Sequence, residues 1–353
     1  MSLTVLLIAY PLAAVGPDSV GGSEQVLAAL DRALVAAGHR SIVIACEGSV
    51  VEGELVSFPA PPAHDIDAAF HEARRADIRA LTIAVLARER VDLIHMHGLD
   101  FHTVLPPPGP PMLATLHLPP DWYPPGSLAL TRPDSWVQCV SASQASRAES
   151  PVMLPPITNG VPVTALGAVH PRRGATAMAL ARVCPEKGLH LALDAAHAAR
   201  MSLVIAGQIH AYAAHEAYFA AEIVPRLDRR RRFIGPVGFR QKRRLLAGAR
   251  CLLIPSLVAE TSSLVAMEAA ACGTPVIAFR IGALPEVVED GRTGFIVDDT
   301  AGMAAALGRI GEIDNETCRE TARRRFSLKH MVAGYFARYE TMLHGRSALP
   351  RAA

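Results

Sequence analysis

The sequence predicts an α/β protein built from two doubly wound domains. Three observations carry that prediction. Short apolar runs that read as buried strands alternate with helical patterns along the chain. The alternation runs once through the first half and restarts in the second. Between the halves, Pro155-Pro156-Ile157-Thr158-Asn159-Gly160-Val161-Pro162 and a Gly/Ala/Pro stretch to Gly174 mark a linker. At 353 residues, half of them hydrophobic, the chain has length and apolar content enough for two cores.

In the first half, the expected strands are Val5–Tyr10, Ile42–Cys46, Leu93–His97, Met112–His117 and Trp136–Ser141. A helix is expected over Ser23–Ala37. Val26, Leu27, Leu30, Leu34 and Val35 keep helical spacing there, and Gly38 stops it. In the second half the strands are Met178–Ala181, Leu203–Ala206, Arg232–Ile234, Leu252–Ile254, Val276–Phe279 and Phe295–Val297. A last helix, Ser327–Leu343, spaces Met331, Tyr335, Phe336 and Tyr339 for one face. The domains expected are residues 1–168, 169–326 and a terminal helix over 327–345, with the boundary near Gly167–Pro171 and a disordered tail after Gly345.

Charge and composition narrow the function classes. Lys plus Arg number 35 against 33 for Asp plus Glu, a net charge of +2, which gives no support to nucleic-acid binding. Arg229–Arg232 and Lys242–Arg244 are basic runs, read as solvated faces or as a patch meeting an anionic lipid surface or acceptor. The six cysteines form no Cys-x-x-Cys pair and read as reduced core residues. Leu3–Tyr10 is apolar without a basic leader, so it reads as a strand and not a signal peptide. No apolar run approaches the roughly eighteen residues of a membrane span. A cytoplasmic protein is expected, with peripheral contact at the inner membrane face as the alternative use of the basic runs.

The residues that carry chemistry lie mostly in the second half. Glu260 follows the strand at Leu252–Ile254, and Glu268 lies about two turns into a helix running from Leu264 to Cys272 and ended by Gly273. Ser262 and Ser263 suit an N-cap, and a helix N-terminus opened by small residues offers backbone N–H groups to an anion or to sugar hydroxyls. A glutamate early in a helix is also an ordinary dipole partner, so the spacing alone does not decide. Arg182 and Lys187 share the loop after Met178–Ala181, a phosphate clamp in the making. Gly21-Gly22-Ser23-Glu24 precedes the first helix and would let a ligand approach closely, although a double glycine is also a common turn. His95 and His97 alternate on a strand and share a face, with His102 and His117 nearby in sequence. No carboxylate or third ligand is spaced to complete a metal site with them, so none is expected.

The block from Ala181 to Phe295 resembles the donor-binding core of the retaining glycosyltransferases of family four (glycosyl transferases group 1). Its carriers are Arg182…Lys187-Gly188, Glu260…Glu268, Gly273-Thr274-Pro275-Val276, Gly282-Ala283-Leu284-Pro285-Glu286 and Gly291-Arg292-Thr293-Gly294-Phe295. The resemblance implies the GT-B architecture, two Rossmann-like domains facing each other across a cleft, with the C-terminal helix crossing back to the first. It implies transfer of a hexose from a nucleoside-diphosphate sugar to a hydroxyl acceptor: a glycan, a lipid-linked sugar or a small metabolite. The nucleotide sugar is a co-substrate, and no cofactor or essential metal is implied.

Carried over residue by residue, Glu260 faces the donor hexose, and Arg182 and Lys187 assist departure of the diphosphate. Backbone amides of Ser262, Ser263 and Leu264 hold the hexose, and Glu268 takes the ribose hydroxyls. Gly235 and Val237 contact the base. Gly21 and Gly22 lie under the diphosphate, and His117 contacts the donor sugar. His97 and Trp122 are acceptor candidates, and loops over Glu47–Ala76 and Leu118–Arg132 would shape the acceptor pocket. The chain departs from the family at Ala181, where glycine is usual, and at Thr261–Leu264, where Gly-Phe-Gly is frequent. Two other classes stay open. A nicotinamide oxidoreductase lacks its Gly-x-Gly-x-x-Gly fingerprint here. A non-catalytic nucleotide-sugar binder, or another GT-B enzyme such as an epimerase, is separated only by turnover.

Overall fold

A computed structural model describes residues 2–16, 18–62, 66–169, 173–345 and 349–350. The chain divides into two compact units, Met1–Thr158 with Met331–Ala353, and Asn159–His330. Unit 1 is built on β1 (Thr4–Ile8), β2 (Arg40–Cys46), β3 (Glu54–Phe58), β4 (Leu93–Met96), β5 (Met112–Thr115), β6 (Ser135–Gln138) and β7 (Met153–Leu154). They form a parallel sheet in the order β3-β2-β1-β4-β5-β6-β7. Its helices are α1 (Gly22–Ala36), α2 (Ala68–Arg88) and α3 (Ala142–Ala145).

Unit 2 is built on β8 (Thr176–Leu180), β9 (Ser202–Ala206), β10 (Arg231–Phe233), β11 (Leu252–Ile254), β12 (Val276–Phe279) and β13 (Gly294–Val297). They too are parallel, in the order β10-β9-β8-β11-β12-β13. Helices α4 (Val163–Gly167), α5 (Leu189–Ala198), α6 (Ala213–Tyr218), α7 (Phe239–Gly248), α8 (Leu264–Ala271), α9 (Leu284–Val287), α10 (Thr300–Arg309) and α11 (Asn315–Arg325) connect them. The last helix, α12, spans Leu328–His344. No helix among the described residues is long and apolar enough to cross a membrane.

Both sheets wind outward from a central strand, return, and wind out on the other side, so each is doubly wound as the sequence predicts. The winding reverses between β1 and β4 and between β8 and β11. Open sheets of this kind bind ligands outside the carboxyl ends of the strands at that reversal. The inner strands are mostly apolar because both faces are covered, while the edge strands β3 and β10 carry polar, partly exposed residues. In unit 2, Met178, Leu252, Ile254, Val276 and Ala278 pack on one side. Ala177, Ala179, Cys251, Leu253, Ile277 and Phe279 pack on the other.

Several expectations change. The division falls after Thr158 and not at residue 168. The Pro/Gly-rich segment is a strap on unit 2: Val161 N donates to Phe326 O at 2.8 Å, Leu166 is fully buried in that core, and Arg243 donates to Ala165 O at 2.9 Å. Residues 170–172, which include the end of the expected boundary, lie outside the described residues.

Residues 47–76, expected as loops, supply an edge strand, β3, and the first half of the long helix α2, capped by Asp67 accepting from Phe70 N at 2.8 Å. Helix α12 begins in unit 2 and from Met331 belongs to unit 1. Tyr339 Oη lies 2.7 Å from His95 Nδ1 and Tyr335 Oη 3.3 Å from Thr115 Oγ1, which keys the helix onto the first sheet. Of the tail expected to be disordered, Leu349 and Pro350 are described, and Pro350 O accepts from Trp136 Nε1 at 2.7 Å. The other residues past Gly345 lie outside the described set.

Candidate active site

The reversal point of unit 2 brings two loops together. After β8 the chain runs through exposed Arg182 and a 3-10 turn, Pro185–Lys187, to Gly188, whose φ of 59° favours glycine. A Cβ there would fall 2.2 Å from Pro255 O, so the glycine also lets this loop touch the one after β11. Lys187 Nζ consequently donates to Glu260 Oε1 at 2.6 Å, and Ser256 Oγ donates to the same oxygen. The Glu260 side chain is 13% exposed. Burial pushes its pKa up, but the charge and hydrogen bond of Lys187, the Ser256 hydroxyl and the charge of Arg182 more than offset it. The carboxyl is held below its ordinary value.

Glu268 sits inside α8 with its side chain 5% exposed and accepts from Lys242 Nζ, on α7, at 2.5 Å. Burial is the largest influence here. Lys242 opposes it only in part, so the carboxyl is pushed above its ordinary value. Ser263 is the N-cap of α8, yet its hydroxyl makes no capping bond, contrary to the expectation for this pair of serines. Side-chain capping goes with extended backbone at this position, whereas Ser263 is left-handed, with φ 61° and ψ 70°. Ser262 is 4% exposed and its hydroxyl has no hydrogen-bond partner. Leu264 opens the helix. The other end of α8 is held by Arg173, which donates to Thr274 Oγ1 at 2.9 Å and to the carbonyls of Cys272 at 3.1 Å and Gly273 at 2.5 Å. A guanidinium at a helix C-terminus complements the carbonyls left open there.

Gly235 and Val237 follow β10. Gly235 O accepts from Gly207 N at 2.9 Å, and Val237 packs partly against the unit 2 core. The Phe233 ring lies 4.9 Å from that of Phe219 at a tilt and packs, partly buried, against the unit 2 core.

In unit 1, Gly21 is the N-cap of α1 and Gly22 its first residue. A Cβ at Gly21 would fall 1.8 Å from Glu24 Oε2. The space the glycine leaves is thus filled by a carboxylate, which opposes a phosphate at that point. His97 Nδ1 and His117 Nε2 lie 3.1 Å apart with the rings stacked at 5.3 Å, and His95 and His97 share a face at 4.0 Å. Burial lowers all three, His117 to about 4, so the cluster is neutral near pH 7. His97 Nε2 is buried without a partner. Trp122 stands 49% exposed on a 3-10 turn, while Tyr123 beside it is buried and accepts from Leu118 N at 3.3 Å.

Lys242, Ser256 and Arg173 are site residues that sequence reasoning missed. Lys242 was hidden in a basic run whose other members also turn inward in part. Arg243 meets Ala165 O, and in the other basic run Arg231 pairs with Asp228.

Residues 174–312 match the family described as Glycosyl transferases group 1, and residues 20–152 match Glycosyltransferase Family 4. The chain belongs to the family-four, group 1 glycosyltransferases. The two matches of this family-four chain fall one in each unit. A D-inositol 3-phosphate glycosyltransferase of Streptomyces scabiei (strain 87.22) is 48% identical over 83 residues, 23% of this chain and 18% of that relative. The match thus spans less than a fifth of the relative's length.

Sucrose-phosphate synthase from Thermosynechococcus elongatus superposes with a TM-score of 0.80 at 20% identity, over 97% of this chain and 100% of that one. Anabaena Alr3699/HepE in complex with UDP-glucose gives 0.76 at 17% identity, over 96% and 100%. These likenesses establish the fold of the family-four chain as GT-B, two Rossmann-like domains.

Proposed function

We propose that the chain transfers a hexose from a nucleoside-diphosphate sugar to a hydroxyl acceptor with retention at the anomeric carbon. The observation that carries this reading is the convergence, at the sheet reversal of unit 2, of Lys187, an ionised Glu260 and the start of α8 with its unpartnered Ser262 hydroxyl. As the bond from the anomeric carbon to the phosphate oxygen breaks, charge grows on the leaving diphosphate, and Arg182 and Lys187 stabilise it. An ammonium has three donors, so Lys187 can serve a phosphate while keeping Glu260. Glu260 accepts from a hexose hydroxyl, and Ser262, Ser263 and Leu264 hold the ring through the helix start. Glu268 takes the ribose hydroxyls, and Gly235 and Val237 line the base.

The acceptor oxygen bonds to the anomeric carbon on the face the diphosphate leaves, and its proton passes to a phosphate oxygen of the departing group. Within unit 1, His117 is the candidate for the donor sugar, His97 and Trp122 for the acceptor, and the Gly21-Gly22 loop for the diphosphate. A uridine nucleotide heads the donor panel because HepE was crystallised with UDP-glucose. Inositol phosphates head the acceptor panel because of the Streptomyces relative.

The test is thermal-shift binding of UDP, GDP, ADP, dTDP and their sugar conjugates, followed by turnover and NMR of the product anomer. One base is expected to stabilise the chain by mass action. Lys187→Ala is expected to lower kcat/KM by about 10²-fold. An inverted product would falsify retention. A donor that binds but never turns over with any acceptor would leave a non-catalytic binder. Absence of any nucleotide shift in folded protein would remove the transferase reading.

A further inference from the structure

The loop after β8 carries a second constellation, distinct from the pair at Lys187 and Glu260. Cys184, Glu186 and His215 bring one ligand-capable atom each to within 4.8 Å of the others. Cys184 is 1% exposed, and its Sγ lies 3.8 Å from Arg182 O. His215 comes from the first turn of α6, where its N–H donates to Tyr212 O at 2.8 Å and the Tyr212 ring meets the imidazole edge-on at 5.1 Å. His215 Nδ1 is buried and has no hydrogen-bond partner. The Glu186 backbone is fixed by Leu257 N, which donates to its carbonyl at 2.8 Å. A thiol, a carboxylate and an imidazole with an orphaned nitrogen therefore converge from two separate elements.

We propose that Cys184, Glu186 and His215 form a binding site for a divalent ion of the zinc class, with water as the fourth ligand. The donor set is the sulfur, oxygen and nitrogen mixture that zinc accepts. Bonds of about 2.0–2.3 Å around a tetrahedral centre put ligand atoms roughly 3.5 Å apart, so side-chain rotations of about 1 Å close the site. Burial pushes the Cys184 thiol up, and the Glu186 side chain raises it further, so without metal it stays protonated. Binding replaces the S–H proton by the metal and releases that proton to solvent. The Glu186 carboxylate supplies the oxygen ligand, and the neutral imidazole of His215 supplies its unpartnered Nδ1.

Arg182 is the opposing charge. It acts on both acidic ligands and repels a cation, which sets the affinity below that of an all-thiolate site. The ion would tie the loop bearing Lys187 to α6. It is assigned no step in sugar transfer, and the site does not depend on the transferase reading.

The experiment is a Co²⁺ titration of the full chain after chelator treatment. Expected are one equivalent bound, a near-ultraviolet thiolate-to-cobalt charge-transfer band, release of one proton, and displacement by Zn²⁺. Cys184→Ser is expected to abolish the band, and His215→Gln and Glu186→Gln to weaken Co²⁺ binding at least tenfold. Far-UV circular dichroism in chelator checks the fold of each variant. His215 is only partly buried, so His215→Gln carries the test if Cys184→Ser does not fold. No band, a band that survives Cys184→Ser, or wild-type affinity in His215→Gln overturns the site.

Discussion

Glu260 and Glu268 belong to one motif and each meets one lysine, yet their surroundings push them in opposite directions. Glu260 lies on a loop and collects Lys187, Ser256 and the field of Arg182, so its anion is favoured. Glu268 lies deeper, inside a helix, where burial outweighs the opposing charge and hydrogen bond of Lys242, so its anion is disfavoured. The contrast teaches that an ion pair alone does not fix the state of a buried acid. The number of donors beyond the pair decides it. Under the proposed function both carboxylates accept from hydroxyls, Glu260 from the hexose and Glu268 from the ribose, and Glu260 alone also holds the lysine that would meet the diphosphate.

Three substitutions or conditions test this contrast. The largest stability effect is expected for Lys242→Met. Glu268 would then escape a stranded charge by taking up a proton. From the ordinary 4.5 this costs at most about 3 kcal/mol at pH 7 and under about 1 kcal/mol at pH 5. Urea unfolding at both pH values measures it, and a pH-independent loss would contradict the account.

Next comes a pair of opposed slopes. The folded-state pKa of Glu260 is lowered, so its contribution is present above 4.5 and lost as pH falls through the folded value. That of Glu268 is raised, so its contribution is present below 4.5 and lost as pH rises through the folded value. Stability of the wild type relative to Glu260→Gln should therefore rise with pH in the acid range, and relative to Glu268→Gln should fall just above it. Parallel slopes would erase the distinction.

The smallest effect is expected for Ser262→Ala. It removes a buried hydroxyl without a partner, so melting should be unchanged or slightly raised, while donor affinity drops about tenfold, near 1.4 kcal/mol. Equal affinity by calorimetry would mean that Ser262 does not touch the sugar.

Unit 2 was the more legible half. Five of its six strands are short, apolar and bounded by turn residues, because a sheet covered on both faces writes itself as apolar runs; the edge strand β10, Arg231-Arg232-Phe233, is the exception. In unit 1, β3 escaped notice because an edge strand with partly exposed residues has no such run. The helix α2 buries only Ile78, Thr82 and Val85 along its length, too thin a stripe to read. The family block located Glu260, Glu268, Lys187 and the Ser262–Leu264 turn. It did not reveal what they touch. Lys187 is 73 residues from Glu260 and Lys242 is 26 from Glu268, and only the folded sheet brings such partners together. The Ser263 turn was misjudged for a related reason: the sequence names a capping residue but not the sign of its φ.

The arginine-rich run at residues 229–232 has a reading that needs no lipid. It leads into β10, the outermost strand of its sheet and three residues long. An open strand edge invites pairing with the edge of another molecule, and natural proteins deter that with short strands and positive charge. Arg229, Arg230 and Arg232 are exposed along this edge, while Arg231 turns back to Asp228. The run thereby places positive charge along the strand edge most open to such pairing.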